Sequence, residues 1–377
     1  MPKPVRLGVV GAGSIAQRAP LAHFSVGDVG TKVVLGAVCD PVPGRAKAAA
    51  EKFGVPEHFE DYAAMLKSAD IDLVTLCSPI GLHAAQGLQA VKAGKHVHFN
   101  KTMTTTVKEA DAIIAEAKRR RVKLVAAPSQ MLRPQNRRIL KLYREGAIGK
   151  LVWAAIGGAF ERYHEEEGVR QGKDVLSNVN PAWYFRKPGG GPLYDITVYG
   201  LASLPGVLGP ARRVTALSGQ IHRTRAFAGK AIACDADDNT GLLLDFGGGA
   251  FAFVYGAASG WLVPSLDFPT YYGTKGSIEQ TKLNGKPIEY PHRKEDKDGT
   301  GITLTEHVRG TKHAAMEEQH IFEDIMQLAR WVREGVPSVV TAEHARHVVD
   351  IFEAGYRAAA TGRTQKLTTT FTPTPGA

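Results

Sequence analysis

At 377 residues the chain is long for a single hydrophobic core and predicts two domains. With 44% hydrophobic and 22% charged residues it has the make-up of an ordinary globular protein, and no apolar run reaches the ~20 residues a membrane helix needs. The net charge of +10 raises nucleic acid as a partner, but the basic residues are not interleaved with aromatics. Lys118, Arg119, Arg120 and Arg121 end one helix, where cations suit the dipole, and Arg137, Arg138, Lys141 and Arg144 dot the next. No nucleic-acid partner is expected; a mild attraction for anionic substrates is.

Arg6–Ala16 reads RLGVVGAGSIA. Leu7, Val9 and Val10 form a short apolar run, as in a buried parallel strand. Gly11-Ala12-Gly13 breaks it, and Ser14-Ile15-Ala16 opens a helix expected to run to about Phe24. The pattern is G-x-G-x-x-A between strand and helix. Gly11 permits the tight turn, Gly13 lets a pyrophosphate approach the backbone, and Ala16 lets helix and strand pack closely. Any tight strand-to-helix turn favours glycine; the place near the N-terminus and the strand before it select a dinucleotide site. Lys32–Cys39 is the second strand and ends at Asp40. An acid there accepts hydrogen bonds from the adenosine ribose and repels a 2′-phosphate, so NAD is expected over NADP. Arg45 lies close enough to hold a phosphate instead, and Asp40 could alternatively cap the turn at Pro41.

Arg45–Phe53 reads as a helix ended by Gly54, and Ile71–Cys77 as a third strand stopped by Ser78-Pro79. Ala84–Ala93 is a helix, and His96–Phe99 a fourth strand that delivers Asn100, Lys101 and Thr102 to its carboxyl end. The helix Val107–Arg121 and the strand Val122–Ala127 follow. This β-α-β-α repetition predicts a doubly wound parallel sheet, with ligands beyond the carboxyl ends of its strands. Lys101 lies on that edge; the alternative is a merely solvated lysine.

Pro134–Glu145 is a helix leading out of the first domain. The texture then changes. Strands are expected at Leu151–Phe160, Arg213–Ile221, Asn239–Phe246 and Ala250–Gly256, with Gly247-Gly248-Gly249 turning between the last two. Ser277–Thr281 and Lys282–Pro287 form a further pair, and helices are expected at Asp195–Leu208, Glu317–Glu334 and Ala342–Ala359. The second domain is therefore α+β with a large, mostly antiparallel open sheet. Glu161–Pro192 and Arg293–His313 lack periodicity and read as loops that cover a site. Leu242, Leu244, Phe251 and Phe253 alternate and need burial, which predicts a homodimer or homotetramer joined through this sheet.

Asp195 and Tyr199 are four apart and share a helix face. A tyrosine of ordinary pKa about 10 is a poor base near pH 7 unless a cation helps, and Lys101 is that cation. Asp195 also qualifies as an N-cap. Trp183, Tyr184, Phe185 and Arg186 offer aromatic faces for a sugar ring and a guanidinium for hydroxyls or acids; core packing would account equally for the aromatics. No metal is expected. His96 and His98 share a strand face without an acid at ligand spacing, and His344 and His347 lack the H-E-x-x-H pattern. Cys39, Cys77 and Cys234 have no metal-like spacing, and MPKPVRLGVV carries no signal-peptide pattern, so a reduced, cytoplasmic protein is expected.

Together these stretches resemble the glucose-fructose oxidoreductase and inositol dehydrogenase (Gfo/Idh/MocA) family. VVGAGSIA looks like its nucleotide loop, SPIGLH (Ser78–His83) its third-strand turn, and AGKHVHFNKT (Ala93–Thr102) its AGKHVxxEKP segment. GAIG (Gly146–Gly149) is similar to its domain junction, GGGPLYDITVYG (Gly189–Gly200) to its GGGxxxDxGxH/Y segment, and YYGTKGSIE (Tyr271–Glu279) to a late β segment. There are departures. Asn100 and Thr102 replace the Glu and Pro that flank the lysine, which removes the usual reason for a cis bond there. Thr197 replaces a common Gly, Tyr199 stands where many members carry His, and N-x-R-x-x-P weakens to Ser129–Pro134.

The resemblance implies a Rossmann NAD-binding domain over residues 1–130 and a substrate-binding, oligomerising α+β domain over 131–377. It implies an NAD(P)-dependent oxidoreductase acting on a sugar, sugar derivative or polyol. Gly11, Gly13, Ser14, Ile15, Asp40 and Arg45 would hold the cofactor with Ser78, Pro79, His83, Asn100, Lys101 and Gln130. Lys101, Asp195 and Tyr199 would be catalytic, and Tyr163, Trp183 and Arg186 would join them around the substrate. Two other readings use the same scaffold: a regulator that binds the cofactor without catalysis, and glycoside cleavage that starts with oxidation of a sugar hydroxyl.

Overall fold

The computed structural model describes residues 2–159, 170–258, 260 and 268–373. Strands β1 (Val5–Val10), β2 (Val33–Cys39), β3 (Glu57–Phe59), β4 (Leu73–Leu76), β5 (His96–Phe99) and β6 (Leu124–Ala126) form a parallel sheet in the order β3-β2-β1-β4-β5-β6. The chain reverses direction of travel across the sheet between β1 and β4. At such a switch point a crevice opens beyond the strand ends. The connecting helices are α1 (Ser14–Arg18), α2 (Pro20–Ser25), α3 (Arg45–Phe53), α4 (Tyr62–Ser68), α5 (His83–Lys92) and α6 (Val107–Arg120). The single helix expected from Ser14 to Phe24 is thus two. Pro20 has no N–H to continue the ladder, and the backbone breaks at Ala19 (φ −115, ψ −100). β3 and α4 were not expected; β3 is a half-buried edge strand of three residues, too short to show a period.

Helix α7 (Pro134–Arg144) leads to β7 (Leu151–Ala159), whose expected last residue, Phe160, lies outside the described residues. Helix α8 (Val198–Leu208) precedes β8 (Arg213–Gly219), β9 (Thr224–Phe227), β10 (Lys230–Ala233), β11 (Asn239–Gly247) and β12 (Ala250–Ala257). Then come β13 (Thr270–Gly273), β14 (Ser277–Glu279), β15 (Lys282–Leu283) and β16 (Lys286–Pro287). Helices α9 (Gln319–Glu334) and α10 (Ala342–Thr361) and the short β17 (Gln365–Lys366) complete the fold. The second sheet has nine strands in the order β16-β15-β14-β13-β7-β12-β11-β8-β17, antiparallel except for β7 beside β12. The strand expected at Lys282–Pro287 is split by Asn284-Gly285, both at positive φ (50° and 78°), which makes a hairpin turn. The β9–β10 hairpin was not expected; it turns at Ala228-Gly229, again at positive φ (48° and 74°).

One face of this sheet is covered. Leu242 and Leu244 are buried in a core with Val214, Val254, Leu201 of α8 and Ile351 and Phe352 of α10. Phe251 and Phe253 face the other way, and the register places Leu243 opposite Phe253. Strand alternation therefore divides the four residues expected to be buried together: two are core, and two lie on an open apolar face with Trp153 and Leu217. Helix α9, late in sequence, packs on the first sheet instead. Its Ile321, Phe322, Ile325 and Met326 share a core with Leu7, Val9, Val38 and Val125. This brings the start of α9 to the site edge of the parallel sheet.

Candidate active site

The nucleotide cleft starts at the end of β1. Gly11 has φ +88, and a Cβ there would stand 3.0 Å from the Cys77 carbonyl and the Ser78 nitrogen, so only glycine lets the turns after β1 and β4 pass. A Cβ at Gly13 would meet only Val179, at 3.7 Å, which leaves the ground before α1 open. Asp40 is buried and pins this loop: Oδ2 accepts the Ala12 N–H at 2.8 Å and Oδ1 the Val42 N–H at 2.9 Å. It thus caps the Pro41 turn while lining the cleft. Arg45 stands with Nη1 3.5 Å from Asp40 Oδ1 and donates from Nε to the Val175 carbonyl at 3.0 Å.

A cavity of about 540 Å³ runs from Gly11, Gly13, Ser14 and Ile15 past Asp40 and Arg45 to Ser78, Pro79 and Trp183. The segment after Arg170 closes over it, held by Gln17 Nε2 donating to the Leu176 carbonyl at 2.9 Å. Size, glycine turn and a buried acid on the wall fit a dinucleotide. His83, Asn100 and Gln130 are turned into the protein. His83 bridges the Thr102 and Ser78 carbonyls at 2.8 and 2.9 Å, Asn100 Oδ1 accepts the Lys101 N–H at 2.8 Å, and Gln130 Oε1 meets Ser203 Oγ at 3.4 Å. They hold the turns that shape the cleft.

Lys101 leaves the end of β5, as expected. The Lys101–Thr102 peptide is cis although Thr102 is not proline. Thr102 Oγ1 donates to the Tyr194 carbonyl at 2.6 Å and ties this turn to residues 193–197, a single π-helical turn that precedes α8. Asp195 sits inside that turn and not at an N-cap position, which Pro192 and Thr197 occupy. Its Oδ1 is 2.5 Å from Lys101 Nζ, and Lys101 also donates to the Asp195 carbonyl. The ammonium stands 5.1 Å from the centre of the Tyr199 ring. Burial opposes the Lys101 charge, but the facing Asp195 carboxylate outweighs it, so the lysine pKa lies above its ordinary value. Tyr199 is pushed up to about 12: burial raises it more than Lys101 lowers it. Lys101 therefore acts in the expected direction without making Tyr199 acidic.

Trp183 and Tyr184 meet with ring centres 3.7 Å apart and planes tilted by 32° on the cavity wall, and Tyr184 acts electrostatically on Lys101, so the cleft adjoins the Lys101 cluster. Arg186 is exposed and donates to the Ala233 carbonyl of β10 at 3.2 Å, away from the cluster. Tyr163 lies outside the described residues.

Sequence reading missed what stands behind Tyr199. The phenol oxygen is 3.1 Å from Nε2 of His320, in α9, and the rings meet edge to face at 5.5 Å. Arg133 acts on the same phenol. Asp324, one turn further along α9, has its carboxyl pushed well up by burial, and His98 is pushed down to about 3 by its own burial. Both shifts favour the neutral forms of the two side chains, which approach to 3.9 Å. The signal for these residues was tertiary: His320 lies 121 residues from Tyr199, and only the docking of α9 joins them.

Residues 5–127 match the oxidoreductase-family NAD-binding Rossmann fold, and residues 136–279 match the Gfo/Idh/MocA C-terminal domain, together most of the chain. The chain is 32% identical over 197 residues to a dTDP-3,4-didehydro-2,6-dideoxy-α-D-glucose 3-reductase of Actinomadura kijaniata, covering 52% of this chain and 54% of that protein. It is 30% identical over 213 residues to a D-glucoside 3-dehydrogenase of Escherichia coli, covering 55% and 54%. It thus spans about half the length of these curated relatives. An oxidoreductase from Agrobacterium radiobacter, solved with NAD+, L-tartaric acid and magnesium, superposes with a TM-score of 0.70 at 18% identity over 97% of this chain and 99% of that one, which shows the shared fold. A glycine turn pinned by Asp40, a lysine delivered by β5 and both domain matches in one order place this chain in the Gfo/Idh/MocA oxidoreductase family, with an NAD-binding Rossmann domain at its N-terminal end.

Proposed function

We propose that this protein is an NAD-dependent dehydrogenase or reductase that moves a hydride between the carbinol carbon of a sugar, sugar derivative or polyol and nicotinamide. One observation carries this: an ammonium clamped by a buried carboxylate, with a phenol beside it, at the carboxyl end of β5 in the parallel sheet. Bound NAD supplies the two-electron acceptor. Lys101, held as an ammonium, donates to the reacting oxygen and stabilises the charge that develops on it. Asp195 fixes the lysine, and Tyr199 receives the hydroxyl proton. Trp183 and Tyr184, side by side on the cavity wall, offer aromatic surface to a sugar ring. Relatives named as 3-reductase and 3-dehydrogenase support a ring hydroxyl of a pyranose as the reacting group.

Several further features belong to this reading. Asp40 favours NAD over NADP, since Arg45 is already engaged by Val175 and Asp40. Residues 1–130 act as the cofactor domain and 131–377 as the substrate and assembly domain. The open face of the second sheet favours a homodimer or homotetramer. Three free thiols, two of them buried, suit a reducing, cytoplasmic setting, and among the described residues no helix is long and apolar enough to cross a membrane.

The test is NADH formation over a panel of pyranoses, methyl glycosides, sugar acids and polyols. Reduction of NAD with at least one, lost in Lys101→Ala, is expected. NAD binding by calorimetry with no reduction on any member would make the protein a cofactor-dependent regulator. Release of phenol from an aryl glycoside only when NAD is present would move the reading to oxidative glycoside cleavage.

A further inference from the structure

We propose that His320 is a proton relay behind Tyr199, carrying the substrate proton from the phenol to Glu318 and solvent. This rests on the dehydrogenase reading above and deepens it. The need for a relay comes from the phenol's surroundings. Tyr199 is half-buried with its pKa pushed up to about 12, so near neutral pH it takes a proton from an alcohol while giving up its own. A group that accepts from the phenol is in place: His320 Nε2, 3.1 Å away. A neutral imidazole that accepts at Nε2 carries its proton on Nδ1. That atom faces Glu318 Oε2 at 3.6 Å. Glu318 precedes α9 in the left-handed region (φ +56), which turns its side chain back beside the His320 ring. Its carboxylate is one-fifth exposed, and Arg18 holds Oε1 at 2.8 Å.

The proton balance closes. The carbinol O–H gives its proton to Tyr199 as the hydride leaves carbon with its electron pair. The phenol O–H passes to Nε2, and the Nδ1 proton passes to Glu318 and then to water. One proton leaves the alcohol and one reaches solvent; the ring, left with its proton on Nε2, returns to the Nδ1–H tautomer by net-zero proton exchange before the next turnover. The groups that face His320 are Lys101, Arg133, Arg18, His98, Glu318 and Tyr199, with Asp324 one turn along its own helix. Burial, then the cations Arg133 and Lys101, keep the imidazole neutral to well below pH 6.5, the state a relay needs.

Two measurements test this, and they fail independently. With the histidine rings labelled with 15N, the resonance lost in His320→Gln belongs to His320. It should report a neutral ring protonated on Nδ1 at pH 7, and its Nε2 shift should move in Tyr199→Phe. A charged ring or an unmoved shift overturns the relay whether or not any sugar is turned over. The second measurement uses NAD and the panel sugar that the wild type oxidises fastest. His320→Gln should lose about ten- to a hundredfold in kcat at pH 7 with KM nearly unchanged. The loss should shrink as pH rises, because the small phenolate fraction, which needs no acceptor, grows with pH, while the wild-type profile stays flat. Added imidazole should restore turnover in His320→Ala. Glu318→Gln, at a partly exposed position that tolerates change, should show a smaller loss with the same pH trend. A loss that is independent of pH and not restored by imidazole marks a packing role and overturns the proposal. A wild type that oxidises no sugar sinks the functional reading, and the ring measurement still decides the relay.

Discussion

Lys101 answers two demands at once. It must keep its charge in a buried place, and it must leave a proton free for the reacting oxygen. Asp195 meets the first, since both side chains are nearly buried (10% and 5% exposed) and each would be costly alone. The lysine pKa is raised in the folded state, so the pair's contribution is fully present below about pH 10.5 and is lost only as pH rises through the folded value. Lys101→Ala should therefore lower the free energy of unfolding in denaturant by roughly 3–5 kcal/mol, because it removes the ion-pair partner of a buried carboxylate. Under conditions where the variants are folded, Lys101→Ala and Tyr199→Phe should each cut kcat by about 10²–10⁴ and leave NAD affinity nearly unchanged. The double variant should lose far less than the product of the two losses, since the groups act as one unit. Full activity in Tyr199→Phe would remove the phenol from the mechanism. Asp40→Ala is the matching experiment in the cleft. It leaves the Ala12 and Val42 N–H groups without their acceptor, about 1–3 kcal/mol of cost, and should weaken NAD while narrowing its advantage over NADP in a fluorescence titration. An unchanged ratio would mean that Arg45 sets the preference.

At the scale of elements, the site is set by how closely α8 and the π turn before it lie on the second sheet. Glycines make that approach possible. A Cβ at Gly158 of β7 would stand 2.6 Å from Ile196, and one at Gly200 of α8 would stand 2.7 Å from Ile156. Thr197, where the family commonly has glycine, is accommodated by Gly256 of β12, whose Cβ would collide with the Thr197 hydroxyl. The small residue has changed sides of the contact. Gly256→Ala should cost about 1–3 kcal/mol by overpacking, seen as a lower melting temperature, and should lower kcat because the displaced turn carries Asp195. Adding Thr197→Gly should recover part of both losses. Strictly additive effects would show that the two residues do not share the contact.

At the scale of the whole molecule, the described residues cover one face of the second sheet and leave apolar side chains on the other. Leu217 is 83% exposed and Phe251, Leu243 and Phe253 40–46%, next to Trp153 stacked on Tyr272 at 4.4 Å. A contiguous apolar face of this kind is costly in water and marks an interface. Light scattering at micromolar concentration should give the mass of a dimer or tetramer, and Phe253→Asp should shift it toward the monomer without loss of helix or strand content. A monomeric wild type would refute this assembly.

The parallel sheet, the glycine turn, Asp40, Lys101, Asp195 and Tyr199 were legible in the sequence, because each depends on local chemistry: an apolar run, a turn only glycine fits, a strand end, a spacing of four. The helix break at Pro20 and the hairpin at Ala228-Gly229 were local too, but their signals were weaker than the periodicity around them. What the sequence could not decide is set by packing between distant segments. Alternation told which residues of β11 and β12 share a face, but only the helices laid on the sheet made Leu242 core and left Phe253 outside. A spacing of four put Asp195 and Tyr199 together, but only burial raised the phenol beyond what Lys101 could lower. Helix α9 reads as an amphipathic helix of the second half; that it packs on the first sheet and sets His320 against Tyr199 follows from the burial of Ile321, Phe322 and Ile325, a choice made by long-range contacts that no local pattern encodes.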